Sequence, residues 1–387
     1  MKRLLIISSH LINPIYQKRW KELSENYPIH IRILIPERWE STYYERGREV
    51  FIGKEIREEK YEVLPVPTTN NQYWWSYKII NLRKFLYDFK PELIFVIHDE
   101  FMAQLRQTIF VRFFYSRKSR LIFFSTHAAL TLRSSNDWAH KKYYYFLFKI
   151  AKWGTDAALV HYPEQIKHLR DCGYSKKILA QTQVGIDSDL FKPNPLLRAR
   201  ARKDYNNEDF IIGYAGRIIK EKGILDLIKA VTLSDNQWKL IIVGGGKDFN
   251  ICKDYAQELG IENRVFFVGP VGPQEVPEYL NAFDCFFTGS HTTNEFVDTF
   301  PNAVAQGMAC GVPCVVSDSA ALPYIVGNAG IVFKEGNEQE IHDAIEKLFL
   351  SPGLRKTLGL AGIRRVKEEF STTALADKFY KITNYFC

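Results

Sequence analysis

The stretch Asp298-Thr-Phe-Pro-Asn302-Ala-Val-Ala-Gln306-Gly-Met-Ala-Cys310-Gly311-Val-Pro313-Cys-Val-Val316 says more about the fold than any other part of this chain. An apolar run over 283–288 precedes it and predicts a buried strand, and another apolar run begins at Cys314. Between them a helix is predicted over 303–309, because Gly311 and Pro313 are typical helix-ending residues. Strands that alternate with helices in this way indicate a parallel sheet.

The loop before this helix is a predicted anion-binding site. Pro301 lies near the first helical position, where a missing N–H removes no helical hydrogen bond. The amides before Ala303 are therefore unpaired donors at the positive end of a helix. Asp298 and Gln306, eight positions apart, can both face what binds there.

A second motif lies earlier, in Ile211-Ile-Gly-Tyr-Ala-Gly216-Arg217-Ile-Ile-Lys-Glu-Lys222-Gly223. A strand is predicted to end at a glycine, with Arg217 at its tip and Lys222 at the start of the next helix. A guanidinium and an ammonium that converge there would neutralise a diphosphate. Such a string is weak evidence for a diphosphate site when it stands alone. This chain contains both motifs, with Arg217 lying 81 residues before Asp298 (298 − 217), and the two together are stronger evidence than either one.

The rest of the chain predicts two domains of this kind. Apolar runs of the first half lie at 4–8, 31–35, 93–97, 121–125 and 157–161, with helices near 77–87 and 141–152. A second series lies at 210–214, 239–243, 265–268, 285–288 and 314–316, with helices near 224–231, 248–260 and 273–281. We predict an α/β fold with two Rossmann-like doubly wound domains, 1–188 and 189–371, facing across a cleft, with a linker near 188–196.

Composition limits the functions further. The chain of 387 residues has 46% hydrophobic and 25% charged residues, which predicts folded domains, and no apolar run approaches a membrane span. Residues 1–190 hold 30 Lys and Arg and 20 Asp and Glu, a charge of +10, whereas 191–387 hold 22 and 24, a charge of −2. Aromatic-basic tracts at 74–86, 113–120 and 141–149 suit an anionic membrane surface or a polyanionic substrate. Amphipathic helices with buried aromatic residues are the alternative explanation.

The two motifs together resemble the signature of the family-4 glycosyltransferases, which are retaining, nucleotide-sugar-dependent enzymes of the GT-B fold. The family pattern is a Glu, seven residues and a second Glu, and this chain matches its remaining positions at Phe300, Pro301, Met308, Ala309, Cys310, Gly311 and Pro313. Asp298 and Gln306 replace the two Glu residues. The resemblance covers about 155–385, and it implies that the last helix, 372–387, crosses back to the first domain.

The resemblance also implies roles for individual residues. Arg217 and Lys222 would bind the donor diphosphate and stabilise it as it leaves, and Asp298 would contact the donor sugar. His127, which follows a strand, would lie near the same sugar and complete the catalytic set. The remaining donor-binding residues implied are Gly216, Gly244, Val271, Thr299, Phe300, Pro301, Asn302 and Gln306.

Three departures from the family pattern affect these expectations. The side chain of Asp298 is about 1.5 Å shorter than that of Glu, so its loop must lie closer to the sugar or a water must bridge. Gln306 lacks the charge that would strengthen a hydrogen bond to ribose. Residues 10–16 replace the usual Gly-Gly loop, so the donor phosphates would be contacted differently there, or the loop would serve the acceptor.

Other motifs suggest metal or NAD sites, and we discount them. Asp187-Ser-Asp189 has a D-x-D form but lies in the predicted linker, and Gly244-Gly-Gly246 lacks the G-x-G-x-x-G string. His98-Asp99-Glu100 is expected to line the acceptor side or to cap a helix. Six cysteines without a metal-ligand spacing are expected to be buried free thiols.

We therefore predict a retaining, metal-independent hexosyltransferase without a cofactor. Its donor would be a nucleotide sugar, with UDP-glucose favoured, and its acceptor a glycan or lipid-linked sugar in polysaccharide or glycolipid biosynthesis. The alternatives are an inactive binder of nucleotide sugars or glycans, a UDP-sugar epimerase and a dehydrogenase. We expect a cytoplasmic protein, free or peripheral on the inner face of the membrane, that binds no nucleic acid.

Overall fold

The computed structural model describes residues 1–41, 49–69, 76, 79–99, 102–126, 138–203, 209–236 and 238–387. The chain forms two compact units, the first of Met1–Gly185 with Thr372–Cys387 and the second of Ile186–Ser371. Each unit has a mainly parallel sheet with helices, and in the second unit all strand pairs are parallel.

The first unit contains an eight-stranded sheet. Its strands in chain order are β1 (Lys2–Ile7), β2 (Ile29–Pro36), β5 (Ile56–Arg57), β6 (Tyr61–Val66), β7 (Leu93–Val96), β8 (Arg120–Phe124), β9 (Ala157–Val160) and β10 (Lys177–Ala180), and a separate antiparallel pair consists of β3 (Arg38–Ser41) and β4 (Glu49–Ile52). The order across the sheet is β10-β9-β8-β7-β1-β2-β6-β5, and all neighbours are parallel except β5 and β6. The central strands are continuous apolar runs because both faces of the sheet are covered.

The helices of the first unit cover this sheet. They are α1 (Lys18–Asn26), α2 (Ile79–Phe89), α3 (Ala103–Tyr115), α4 (Trp138–Gly154), α5 (Glu164–Asp171) and the last helix of the chain, Thr372–Phe386. That last helix packs on α1, where Tyr27 and Tyr380 stack with ring centroids 3.9 Å apart. The rings of Phe379 and Trp20 are nearly perpendicular, with centroids 4.9 Å apart, so the end of the chain completes the core of the first unit.

The second unit contains a six-stranded parallel sheet. Its strands are β11 (Ile211–Ala215), β12 (Lys239–Val243), β13 (Val265–Gly269), β14 (Cys285–Thr288), β15 (Cys314–Ser317) and β16 (Gly330–Phe333), in the order β13-β12-β11-β14-β15-β16. Its helices are α6 (Pro195–Ala201), α7 (Ile224–Val231), α8 (Phe249–Glu258), α9 (Val276–Ala282), α10 (Asn302–Ala309), α11 (Leu322–Val326), α12 (Glu338–Leu350) and α13 (Pro352–Arg365), and the helix Thr372–Phe386 of the first unit is α14. The strand order reverses between β11 and β14, and such switch points are where sheets of this type bind ligands.

Several predicted boundaries differ from the structure. The predicted helix over 303–309 begins at Asn302, and Pro301 precedes it as the cap residue, because the amide of Val304 already donates to the Pro301 carbonyl at 3.1 Å. The chain leaves the first unit after Gly185, and Pro195 begins α6, since the Asn194 side chain accepts from the amides of Leu196 and Leu197. Within the described residues, none of the helices has both the length and the apolar content of a membrane span.

Candidate active site at the switch point of the second unit

The carboxyl ends of β11 and β14 bring the two sequence motifs together. Arg217 and Lys222 follow β11, and Asp298 lies in the loop between β14 and α10. Gly223 and Gly289 make this approach possible, because a Cβ on Gly223 would lie 2.1 Å from the Gly289 carbonyl oxygen. Gly223 also has φ +69°, which is a left-handed conformation that favours glycine.

Lys222 and Asp298 form an ion pair in this crevice. The Lys222 ammonium donates to Oδ2 of Asp298, and only 11% of each side chain is exposed. The hydroxyl of Ser290, which is fully buried, donates to the same oxygen at 2.7 Å. The ring of Phe296 lies 5.7 Å from Lys222 Nζ. The pair is therefore held from two sides in a site with little water, where charge interactions are stronger than at an open surface.

Ser290 is a part of this site, and the family resemblance had implied only that it belongs to a base-binding region, not that it contacts Asp298. Its carbonyl accepts from the Ser317 hydroxyl at 2.7 Å, which ties the loop after β14 to the end of β15. The sequence offered two signals for Ser290, which are its position two residues after a buried strand and the family resemblance of the stretch that contains it. Its hydrogen-bond partners, Asp298 and Ser317, are identified only by the folded arrangement of the loops that carry them.

A second pair of loops meets after β11 and β12. A Cβ on Gly244 would lie 1.9 Å from the Gly216 carbonyl oxygen, and one on Gly246 would lie 1.9 Å from that of Ile218. Asp248 adds a direct bond, since its carboxylate accepts from the Lys220 amide at 2.7 Å. The loop that carries Arg217 and Lys222 is thus held by the glycine turn after β12, a function of Asp248 that the sequence did not reveal.

Arg217 lies at the exposed edge of this crevice. Its backbone carbonyl accepts from the buried hydroxyl of Tyr214 at 2.5 Å. Burial, and then the negative charge of Asp298, raise the pKa of Tyr214 well above its usual value, so the phenol remains a neutral donor. Tyr214 therefore positions the backbone at Arg217.

Helix α10 lies on the other side of the Asp298 loop. The first amides of an α-helix have no acceptor within the helix, and those of α10 follow Pro301 directly. Phe300 is buried, with its ring 5.5 Å from that of Phe370, while Thr299, Asn302 and Gln306 are partly exposed. Gln306 is on the first turns of α10, and Val271 lies just beyond β13 at the same edge of the sheet.

In the first unit, the predicted site residues are only partly described. His127 and Glu100 lie outside the described residues. His98 follows β7 and accepts from the Ser9 amide at 3.2 Å through Nε2, and Asp99 accepts from the Thr126 amide. Burial, with a smaller effect of His10, lowers the pKa of His98 to about 3, so its imidazole is neutral at physiological pH.

The discounted metal motif makes a local turn. The carboxylate of Asp187 accepts from the amide of Asp189 at 2.9 Å. Among the residues that the structure describes, no cluster of three or more His, Cys, Asp or Glu side chains could hold a metal ion. Metal independence of the reaction stays a prediction. The cysteines are free, and four of them are buried as expected, whereas Cys172 is half-buried and Cys387 is exposed.

Comparison with known sequences matches the segment that contains both motifs to a family model. Residues 198–365 match the model of the glycosyl transferases group 1. A GDP-mannose-dependent alpha-(1-6)-phosphatidylinositol monomannoside mannosyltransferase of Mycobacterium tuberculosis is 26% identical over 202 residues, which cover 50% of this chain and 52% of that protein. The capsular polysaccharide biosynthesis glycosyltransferase CapM of Staphylococcus aureus is 28% identical over 185 residues, 46% of this chain and 47% of its own. The chain thus spans about half the length of these relatives.

Solved structures share the fold over the whole chain. A sucrose-phosphate synthase of Thermosynechococcus elongatus has a TM-score of 0.75 and 17% identity, and covers 100% of this chain and 99% of its own. Anabaena HepE, solved in complex with UDP, has a TM-score of 0.73 and 16% identity, with 100% of both chains covered. These likenesses confirm the predicted GT-B type of α/β fold. Residues 198–365, which contain both sequence motifs, match the glycosyl transferases group 1 model, in agreement with the resemblance that the sequence predicted.

Proposed function

We propose that this protein is a retaining glycosyltransferase that moves a hexose from a nucleotide-sugar donor to a glycan or lipid-linked sugar acceptor. The observation that carries the proposal is the Lys222–Asp298 pair at the switch point of the second sheet. It combines a cation for a diphosphate with a carboxylate for sugar hydroxyls. The family match over the same residues and the names of the relatives support this assignment.

The proposed chemistry is mainly electrostatic. When the bond between the sugar and the diphosphate breaks, negative charge grows on the leaving phosphate oxygens. Arg217, Lys222 and the first amides of α10 are donors at this edge of the sheet, and preorganised donors in a site with little water stabilise such charge. An ammonium has three N–H donors, so Lys222 can keep its bond to Asp298 and still donate to phosphate.

Asp298 and Gln306 are assigned to the sugar and the ribose. Oδ2 of Asp298 accepts from both Lys222 and Ser290, which leaves Oδ1 as the oxygen for a sugar hydroxyl. Gln306 is a neutral hydrogen-bonding group for ribose. We infer that the acceptor binds to the first unit and that no metal or cofactor takes part.

The donor nucleotide has two candidates. UDP-glucose is our first choice, and a solved structure of Anabaena HepE, which has the same fold, contains UDP-glucose. GDP-mannose is the second, because the mycobacterial relatives are named as GDP-mannose-dependent mannosyltransferases. An inactive binder or an epimerase is the alternative function, since Asp298 and Gln306 depart from the family pattern.

Incubation of the purified chain with a panel of UDP-, GDP- and ADP-sugars in EDTA, without acceptor, tests the proposal. Mass spectrometry should detect slow sugar loss from one donor, and NMR should show that the released sugar keeps its anomeric configuration. Arg217→Ala and Lys222→Ala should each lower kcat/KM for this donor more than tenfold, about 1.4 kcal/mol or more. Lys253→Ala, an exposed lysine on α8, is the matched control and should leave the rate unchanged.

Each other outcome contradicts part of the proposal. Conversion of the free nucleotide sugar without sugar loss would identify an epimerase. If Arg217→Ala and Lys222→Ala keep the wild-type rate, the assigned diphosphate site is wrong. Dependence of the rate on added Mg²⁺ or Mn²⁺ would refute the metal-independent mechanism.

A further inference from the structure

We propose that one face of the first unit, formed by α3 and α4, binds the surface of an anionic lipid bilayer. We call it the aromatic face, and define it by six exposed side chains, Phe110, Phe113, Phe114, Tyr143, Phe146 and Trp153. This inference does not depend on the transfer reaction, because it rests on residues outside the second unit.

The two helices present these side chains to solvent by their spacing. Phe110, Phe113 and Phe114 are three and four positions apart in α3, while Tyr143, Phe146 and Trp153 are three and seven apart in α4. Their exposed fractions range from 43% for Phe113 to 68% for Trp153. Both helices bury other side chains in the core. These six aromatic side chains therefore do not lie on the packed faces of the two helices. The amphipathic-helix explanation required them to be buried, so it does not account for them.

The aromatic face extends from α3 to the end of α4 through contacts between rings. The ring centroids of Phe113 and Trp153 lie 5.9 Å apart, and Phe113 contacts Phe114 at 5.2 Å. Gly154 at the end of α4 lets the helices approach, since a Cβ there would lie 2.3 Å from the Ile109 side chain. The guanidinium of Arg112 donates to the Gly154 carbonyl at 2.9 Å. The corner that carries the face is thus well packed.

Positive charge surrounds these rings. Segments 103–120 and 142–153 contain five and three Lys and Arg residues, eight in total, and no Asp or Glu. Arg112 and Arg120 pair with Asp156. Arg117 lies 4.6 Å from the centroid of the Phe113 ring, and it and Lys149 have no carboxylate partner within the described parts of the chain.

An anionic bilayer is the partner that fits both features. Aromatic side chains are favoured at the headgroup level of a membrane, and Lys and Arg are attracted to anionic lipids. A second copy of the same face would bring like charges together, which disfavours association. A polyanionic glycan would neutralise the cations but would not require large apolar rings without polar atoms, such as Phe114 and Phe146.

Co-sedimentation of the full chain with vesicles tests this proposal. We expect binding to vesicles that contain phosphatidylglycerol, much weaker binding to pure phosphatidylcholine, and a decrease with salt. Each cation near an anionic surface contributes about fivefold to partitioning, so Arg117→Gln with Lys118→Gln should weaken binding roughly 25-fold. Phe114→Ser with Phe146→Ser should weaken it more than about tenfold.

Matched changes on the second unit are the controls. Lys356→Gln with Arg364→Gln removes two exposed charges, and Leu350→Ser with Leu360→Ser removes two exposed apolar side chains, so both should bind vesicles as the wild type does. Circular dichroism and thermal unfolding should show that all four variants fold. Equal binding to both vesicle types, no binding, or wild-type binding by the variants of the aromatic face would overturn the proposal. A dimer in sedimentation velocity that the Phe114 and Phe146 changes dissolve would assign the face to self-association instead.

Discussion

The buried pair of Lys222 and Asp298 allows a quantitative prediction about the site. Removal of one partner from a buried ion pair destabilises a protein by about 3–5 kcal/mol, because it leaves an uncompensated charge. Because 11% of each side chain is exposed, we expect the lower end of this range for Asp298→Asn, a decrease of about 3 kcal/mol in the free energy of unfolding. Lys222→Met should cost less, about 2 kcal/mol, since Ser290 still donates to the carboxylate. The double variant contains no buried charge at these positions, and we expect a coupling free energy of about 2–3 kcal/mol.

Hydrogen exchange of the β14 peptide in increasing urea measures the unfolding free energy of the second unit by itself. The pair of Arg200 and Glu278 is the control, at 3.0 Å but with 73% of the arginine side chain exposed. Its coupling should be below about 1 kcal/mol. A coupling for Lys222 and Asp298 as small as that of the control would refute the argument that this site is shielded from water.

Three further changes test separate parts of the structure. Ser290→Ala should destabilise the second unit by about 1.5–3 kcal/mol and lower kcat/KM about tenfold. The isosteric Ser290→Cys should lower both quantities less. Unchanged kinetics would exclude Ser290 as a positioning residue. Gly223→Ala should lower the free energy of unfolding, measured by chemical denaturation, by at least about 2 kcal/mol more than Gly260→Ala does. The two glycines have nearly the same φ, +69° and +67°, but only Gly223 lies against another backbone. The pKa of His98 is about 3 in the folded chain and has its usual value of 6.5 in the unfolded chain. As the pH falls, only the unfolded chain gains a proton at this residue, so the free energy of unfolding of the first unit should decrease by about 2 kcal/mol between pH 7 and 5. His98→Gln, measured by hydrogen exchange in the β7 peptide, should lose this pH dependence, and an unchanged slope would contradict the assignment.

The regular elements could largely be predicted from the sequence. The helix at 224–231 and the strand at 239–243 have the predicted bounds, because the amphipathic spacing of the helix and the apolar run of the central strand are both strong local signals. The missed strands are β3, β4, β5, β6, β10 and β16. Of these, β6 is a buried strand between β2 and β5, whereas β10 and β16 differ in their position. They lie at the sheet edges and are partly exposed, so their apolar pattern is weak. Helix ends were misplaced because capping depends on local hydrogen bonds, such as that between Val304 and Pro301.

The sequence by itself determined the fold class and the residue types of the site. Alternating apolar runs dictate a parallel α/β sheet, and the two motifs with Arg217, Lys222 and Asp298 lie in the segment that matches the glycosyl transferases group 1 model. Only the tertiary structure decided which side chains meet. The strand order β11-β14 places loops side by side that are far apart in the chain, and so Asp298 receives both Lys222 and Ser290. The aromatic residues of α3 and α4 could be core or surface by their spacing alone. Their exposure depends on which face of each helix packs against the sheet, and that is a property of long-range contacts.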